Sequence, residues 1–146
     1  MQFPRDLMSC AALAGCATLA PAPTSLAGTS WQLIAIQSMD DAQGTTHPED
    51  PSRYTVTFGA DGRAAFRLDC NRASAEWKAT PANAGARSGQ MIFGALAGTR
   101  AMCPPGSLDQ RLSLQLPYVR SYLFQDGRLH LSLFADGGIL SWAPVK

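Results

Sequence analysis

The sequence predicts a mainly β domain with one short helix, its antiparallel sheet curling or closing into a small barrel. Apolar residues from Trp31 onward recur mainly with period two, the spacing of a half-buried strand. Asp-Gly and Gly-rich pairs punctuate those runs and mark tight turns between about seven or eight short strands. One leucine stripe at helical spacing interrupts them.

Trp31 to Ile36 forms a first strand, apolar enough to be largely buried. A polar loop with Asp40, Asp41, Gly44, Pro48 and Pro51 follows. Tyr54, Val56 and Phe58 then alternate with Thr55 and Thr57, and Gly59-Ala60-Asp61-Gly62 turns the chain into Ala64, Phe66 and Leu68. That is a hairpin. Ala73, Ala75 and Trp77 alternate again, whereas Thr80 to Gln90 is rich in Gly, Ala, Ser and Pro and reads as loop. Met91 to Phe93 begins another short strand.

Ser107 and Gln110 fit a capping box, in which hydroxyl and amide each satisfy one orphan backbone N–H at a helix start. Leu108, Leu112 and Leu116 then present one apolar stripe toward the sheet, and Pro117 ends or kinks the helix. Ser121 to Phe124 and Leu129 to Leu133 make a second hairpin around Asp126-Gly127. Asp136-Gly137-Gly138 leads into the last strand, Ile139 to Val145. The tripeptides Asp61-Gly62-Arg63 and Asp126-Gly127-Arg128 match, which reads as shared turn chemistry rather than an internal repeat.

Composition bounds the function. The 146 residues carry 12 Lys+Arg against 11 Asp+Glu, a net charge of +1, with 16% charged and 46% hydrophobic residues. Nucleic-acid binding needs a dense positive face, so the expectation is no nucleic acid. The apolar content suffices for one core, and the length for one domain.

The first residues read as an address. Arg5 precedes a short apolar stretch from Leu7 to Gly15, the layout of a secretory signal and too short to span a bilayer. Leu13-Ala14-Gly15-Cys16 resembles the bacterial lipobox, in which the cysteine is lipidated. The expected organisation is a lipoprotein signal peptide over residues 1–15, lipidated Cys16 with a Pro-containing tether over 16–27, and a domain over 28–146. The competing reading is an ordinary secretory signal cleaved near Ala20 or Ala22. Ala17, rather than an acidic residue, resembles a Gram-negative outer-membrane sorting signal.

In a secreted context Cys70 and Cys103 read as a disulfide, with two buried free thiols as the alternative. No metal site is expected, because His47 and His130 are the only histidines and a Cys–Cys pair lacks further ligands. No cofactor is expected either. A Ser–His–Asp triad has no Gly-x-Ser-x-Gly elbow to lift its serine, so no catalytic residue is assigned and the protein reads as non-enzymatic. Trp31, Trp77 and Trp142 read as core or barrel lining.

Cys70-Asn71-Arg72 after a strand, Thr99-Arg100-Ala101-Met102-Cys103-Pro104 before the helix, and the opening Gly28-Thr29-Ser30-Trp31 together resemble the META domain, or HslJ-like, family. Leu129-His130-Leu131-Ser132-Leu133 and Leu140-Ser141-Trp142 fit its closing hairpin, so the likeness runs from Leu26 to Val145. Asp69 stands where the family usually has Gly, and Ala101-Met102 inverts its usual Met-Ala order. The resemblance implies a lipocalin-like or cracked β-barrel in the bacterial envelope, often a lipoprotein linked to stress or antibiotic tolerance. It implies no catalytic residues.

Asn71, Thr99 and Arg100 form a candidate recognition patch; the alternative is that Asn71 satisfies turn backbone and Arg100 is a solvated or paired surface charge. The expected setting is the periplasmic face of the outer membrane, as a monomer held by its N-terminal lipid, with an envelope protein as possible partner. Two alternatives stand beside it: an inhibitor of an envelope hydrolase or protease inserting Asp40–Ser52 or Thr80–Gln90, and a hollow barrel for apolar ligands.

Overall fold

The computed structural model describes residues 25–145; the signal-like segment, Cys16 and nearly all of the predicted tether lie outside the described residues. Ten strands and one helix follow in chain order: β1 (Thr29–Gln37), β2 (Thr45–Thr46), β3 (Tyr54–Phe58), β4 (Arg63–Leu68), β5 (Asn71–Pro81), β6 (Ser88–Phe93), β7 (Ala97–Gly98), α1 (Asp109–Gln115), β8 (Val119–Gln125), β9 (Arg128–Leu133) and β10 (Ile139–Pro144). Eight strands close a ring in the order β1-β3-β4-β5-β6-β8-β9-β10, with β10 returning to β1. Every pairing is antiparallel. Closure leaves no sheet edge along the ring between β1 and β10, where Trp31 faces Pro144 and Gln37 faces Ile139.

Alternation places the core. Tyr54, Val56 and Phe58, then Ala64, Phe66 and Leu68, then Leu129, Leu131 and Leu133 all point inward. β1 breaks that rhythm: Trp31 and Leu33 are buried, but the next buried residue is Ile36. A bulge between Leu33 and Ala35 shifts the register against β10 and restores Ile36 to the inside. Aromatic rings fill the interior, Phe58 meeting Trp77 edge-on at 5.3 Å, Phe66 meeting Phe93 at 5.2 Å and Trp31 lying 5.9 Å from Phe124. Trp31 and Trp142 are buried and Trp77 half-buried, consistent with core roles.

The two matching Asp-Gly-Arg turns differ in geometry. Asp126 and Gly127 both have positive φ, 54° and 72°, as a two-residue hairpin turn of type I′ needs. In the first hairpin only Gly62 does, at 84°, within a four-residue connection closed by Gly59 N donating to Arg63 O at 2.8 Å. Shared turn chemistry, not a repeated unit, accounts for the match.

Three expectations need correction. Thr80–Gln90 is not a loop: β5 runs to Pro81 and β6 starts at Ser88, with Thr80 opposite Gln90 and Pro81 opposite Gly89. The strands press so closely that a Cβ on Gly89 would sit 2.1 Å from Thr80 O, so small residues there serve sheet contact. Ser107 does not build a capping box; its hydroxyl accepts from Asp109 N at 3.3 Å, and Leu108 occupies the cap with no side-chain bond. Leu26, assigned to the tether, is 2% exposed and belongs to the core. Its carbonyl accepts Thr29 N at 3.1 Å, and Gly28 N donates to Phe58 O at 2.7 Å.

The helix works as predicted otherwise. Leu112 and Leu116 are buried while Leu114 is 72% exposed, and a 3-10 turn over Leu116–Tyr118 ends it at Pro117. It seals one end of the barrel: Leu108 N donates to Tyr54 Oη at 2.9 Å, and Arg111 Nη1 to Thr46 Oγ1 at 2.9 Å. β6 pairs with β8 only through Ser88, Gly89 and Gln90. Beyond that point β6 and β7 pair with β5 alone, leaving a seam beside α1. Among the described residues no helix is long and apolar enough to cross a membrane.

Candidate functional site

The site forms where β4 turns into β5. Leu68 pairs with Asn71, so Asp69 and Cys70 are the two central turn residues. Asp69 has φ 60°, a conformation that favours Gly and that Asp tolerates better than most side chains. Here its side chain is also used: Arg53 Nη1 lies 3.3 Å from its carboxylate, and its own N–H donates to Arg53 O at 2.7 Å.

Cys70 is bridged to Cys103, with the α-carbons 5.6 Å apart. The predicted disulfide is present. It staples the irregular segment after β7 onto the turn, leaving Cys70 exposed and Cys103 half-buried.

Asn71, 5% exposed, binds that segment from below. Its Nδ2 donates to Ala101 O at 2.9 Å and to Asp109 Oδ2 at 3.1 Å. Its Oδ1 accepts Ala101 N at 2.8 Å and Thr99 Oγ1 at 2.9 Å. Two donors and two acceptor positions are filled, so the amide has no capacity left for a ligand. Thr99 is committed as well, because Oγ1 also accepts Arg72 N at 3.0 Å. Of the predicted patch, the structure brings Asn71 and Thr99 together as scaffold and leaves Arg100 exposed. Asp109 completes the network; only its nearness to Asn71 in three dimensions reveals it.

Two surface cavities flank the bridge. One, about 530 Å³, lies in the seam between Leu96, Thr99 and Arg100 on one wall and Asp109, Ser113 and Leu114 of α1 on the other. The second, about 450 Å³, lies between His47, Asp50, Arg53 and Asp69 and the Pro104–Leu108 segment. There the Ser52 hydroxyl and N–H, bonding Asp50, together with nearby Arg53 hold the Asp50 carboxyl below its ordinary value.

Elsewhere, His130 Nδ1 lies 2.8 Å from Ser141 Oγ, the two residues paired across β9 and β10 on the outer wall. Burial and the Arg128 charge depress the imidazole pKa, Asp126 opposing. Ser141 sits in regular strand, without the turn that exposes a nucleophile. Among the described residues no group of three His, Cys, Asp or Glu side chains is placed to hold a metal ion.

The two loops assigned to an inhibitory role are shorter or more tied down than their sequence spans imply. Only residues 82–87 connect β5 to β6. In the Asp40–Ser52 connection, β2 pairs with β1, His47 Nδ1 lies 2.9 Å from Ile34 O, and Pro48 is buried. Among the described residues the most exposed large apolar side chain is Met102, at 96%.

Comparison with known proteins fits this architecture. An NMR structure of a protein from Burkholderia xenovorans superposes with a TM-score of 0.62 at 23% identity, covering 88% of this chain and 94% of that one. A crystal structure of a DUF4847 family protein from Bacteroides vulgatus gives 0.50 at 14% identity, covering 81% and 93%. No curated protein matches. The META domain family matches residues 24–144, a range that contains all ten strands, and the chain belongs to that family.

Proposed function

We propose that this protein is a non-enzymatic, lipid-anchored cell-envelope protein that recognises a partner through its disulfide-stapled rim and acts in envelope stress or antibiotic tolerance. The observation that carries this reading is the contrast between a barrel filled with Trp142, Phe58, Leu33 and Val56, all fully buried, and two cavities that flank Cys70–Cys103 on the surface. A filled barrel argues against an internal apolar ligand. A disulfide in a chain of this kind suits an oxidising compartment.

The segment leading into β1 lies at the end of β3 opposite the stapled rim. Gly28 bonds Phe58 at one end, while Tyr54 and Leu108 meet at the rim end. An anchor at residue 16 would lead into the barrel from the end opposite the rim. Two acyl signals suffice for stable anchoring, which a lipidated Cys16 supplies.

The test is complementation. A strain lacking the protein loses tolerance to envelope-directed antibiotics; the wild-type chain restores it, and Arg100→Glu with Leu114→Asp does not. Labelled palmitate enters the wild type and not Cys16→Ala. Restoration by the rim variant, or label retained by Cys16→Ala, overturns the corresponding half.

A further inference from the structure

The segment from Thr99 to Pro104 combines three properties. Met102 stands 96% exposed at its crest, an unbranched apolar side chain left entirely in water. The next residue, Cys103, is covalently fastened to Cys70. The preceding residue, Ala101, has both backbone polar groups bonded to the buried Asn71 amide, at 2.8 and 2.9 Å. Asn71 is held in turn by Thr99 Oγ1 and Asp109 Oδ2.

A mobile exposed loop loses conformational entropy when an enzyme cleft closes around it. This one is ordered in advance on both sides of a single protruding side chain. Among the described residues Met102 itself makes no backbone hydrogen bond, so its N–H and C=O are open to a partner's extended main chain. The arrangement suits a rigid ligand whose cleaved ends would stay linked through the bridge.

We infer that residues 99–104 form a pre-organised inhibitory loop for a serine endopeptidase, with Met102 filling the enzyme's apolar primary specificity pocket and the bridge with Asn71 holding the loop against turnover. This rests on the reading that the rim recognises a partner, and it names the partner's class. Pre-organised inhibitor interfaces change little on binding, as such a loop requires.

The test titrates the purified full chain against chymotrypsin, subtilisin and trypsin. The expected result is one-to-one, reversible inhibition of the two enzymes with apolar pockets and none of trypsin. Met102→Asp weakens it by roughly 30-fold or more, the loss of a central anchor residue, without unfolding a side chain that packs on nothing. Met102→Arg transfers inhibition to trypsin. Asn71→Ala or reduction of the bridge turns the chain into a substrate cut beside Met102. Absence of inhibition by the intact chain, rapid cleavage with the bridge intact, or inhibition unchanged in Met102→Asp overturns the inference. If the rim variant still fails to restore tolerance while no endopeptidase is inhibited, the recognition reading stands and this inference alone falls.

Discussion

Asn71 and Ala101 are joined twice through one side-chain amide, Nδ2 donating to the Ala101 carbonyl at 2.9 Å and Oδ1 accepting the Ala101 N–H at 2.8 Å. The amide thereby imitates a neighbouring strand for a residue that has none. It pairs both backbone polar groups of Ala101 where the chain crosses the barrel rim.

Removing the amide leaves those groups unsatisfied. Asn71→Ala is expected to lower unfolding stability by about 2–3 kcal/mol, since several bonds are lost at a buried site. Asn71→Asp is expected to cost more near neutral pH, because it sets an acceptor against the Ala101 carbonyl and the Asp109 carboxylate. Urea denaturation of the three proteins measures both; equal midpoints would show that the network is dispensable.

The bridge spans a sequence separation of 33, which in the chain-entropy description contributes about 3–4 kcal/mol by restricting the unfolded chain. Cys70→Ser with Cys103→Ser should therefore shift the urea midpoint strongly downward. The barrel's far-ultraviolet spectrum should survive in the absence of denaturant, since the eight-stranded ring does not pass through the bridge.

Asp69 balances two effects at a φ of 60°. Replacement by Gly relaxes the backbone but loses the contact with Arg53, whose side chain is half in water and whose ion pair is worth at most about 1 kcal/mol. Asp69→Gly is expected to change stability by less than about 1 kcal/mol, and Asp69→Ala to lower it by about 1–2 kcal/mol, since it keeps the strain and loses the charge. Thermal melts at low and high salt separate the two contributions.

His130 links stability to acidity. Burial and Arg128 depress its pKa below the ordinary 6.5, so the folded chain binds this proton less readily than the unfolded one. The sign follows: its contribution is whole above about pH 6.5 and declines as the pH falls through that value. His130→Gln should flatten the fall in unfolding free energy between pH 7.5 and 5.5. An identical slope in both proteins would exclude the histidine as its source.

Much of the barrel was legible because strand alternation is local. Tyr54-Val56-Phe58 and Leu129-Leu131-Leu133 announce their buried faces within five residues, and both hairpins carry their turn residues. The second half of β6 was legible at Met91–Phe93, but its first half was not, since Ser88-Gly89-Gln90 has no apolar face to reveal; pairing with β5 on one side and β8 on the other makes it strand. The capping box failed because Ser107 and Gln110 match a pattern of residue types, while Leu108 rather than Ser107 sits at the cap and the Ser107 N–H already donates to Pro104 O at 3.3 Å.

The same division holds at the candidate site. The chain alone pointed to Cys70 and Cys103, Asn71, Thr99 and Arg100 as neighbours in chemistry. Their separate duties appeared only in three dimensions: Asn71 and Thr99 hold Ala101 and Arg72 backbone, Arg100 stays in solvent, and Met102 stands clear. Ring closure between β1 and β10 is likewise invisible in either strand by itself. Burial preference and turn chemistry act between residues a few positions apart, so sequence records them. Which distant strand or carbonyl satisfies a given N–H depends on how the whole barrel closes, and that is settled by packing.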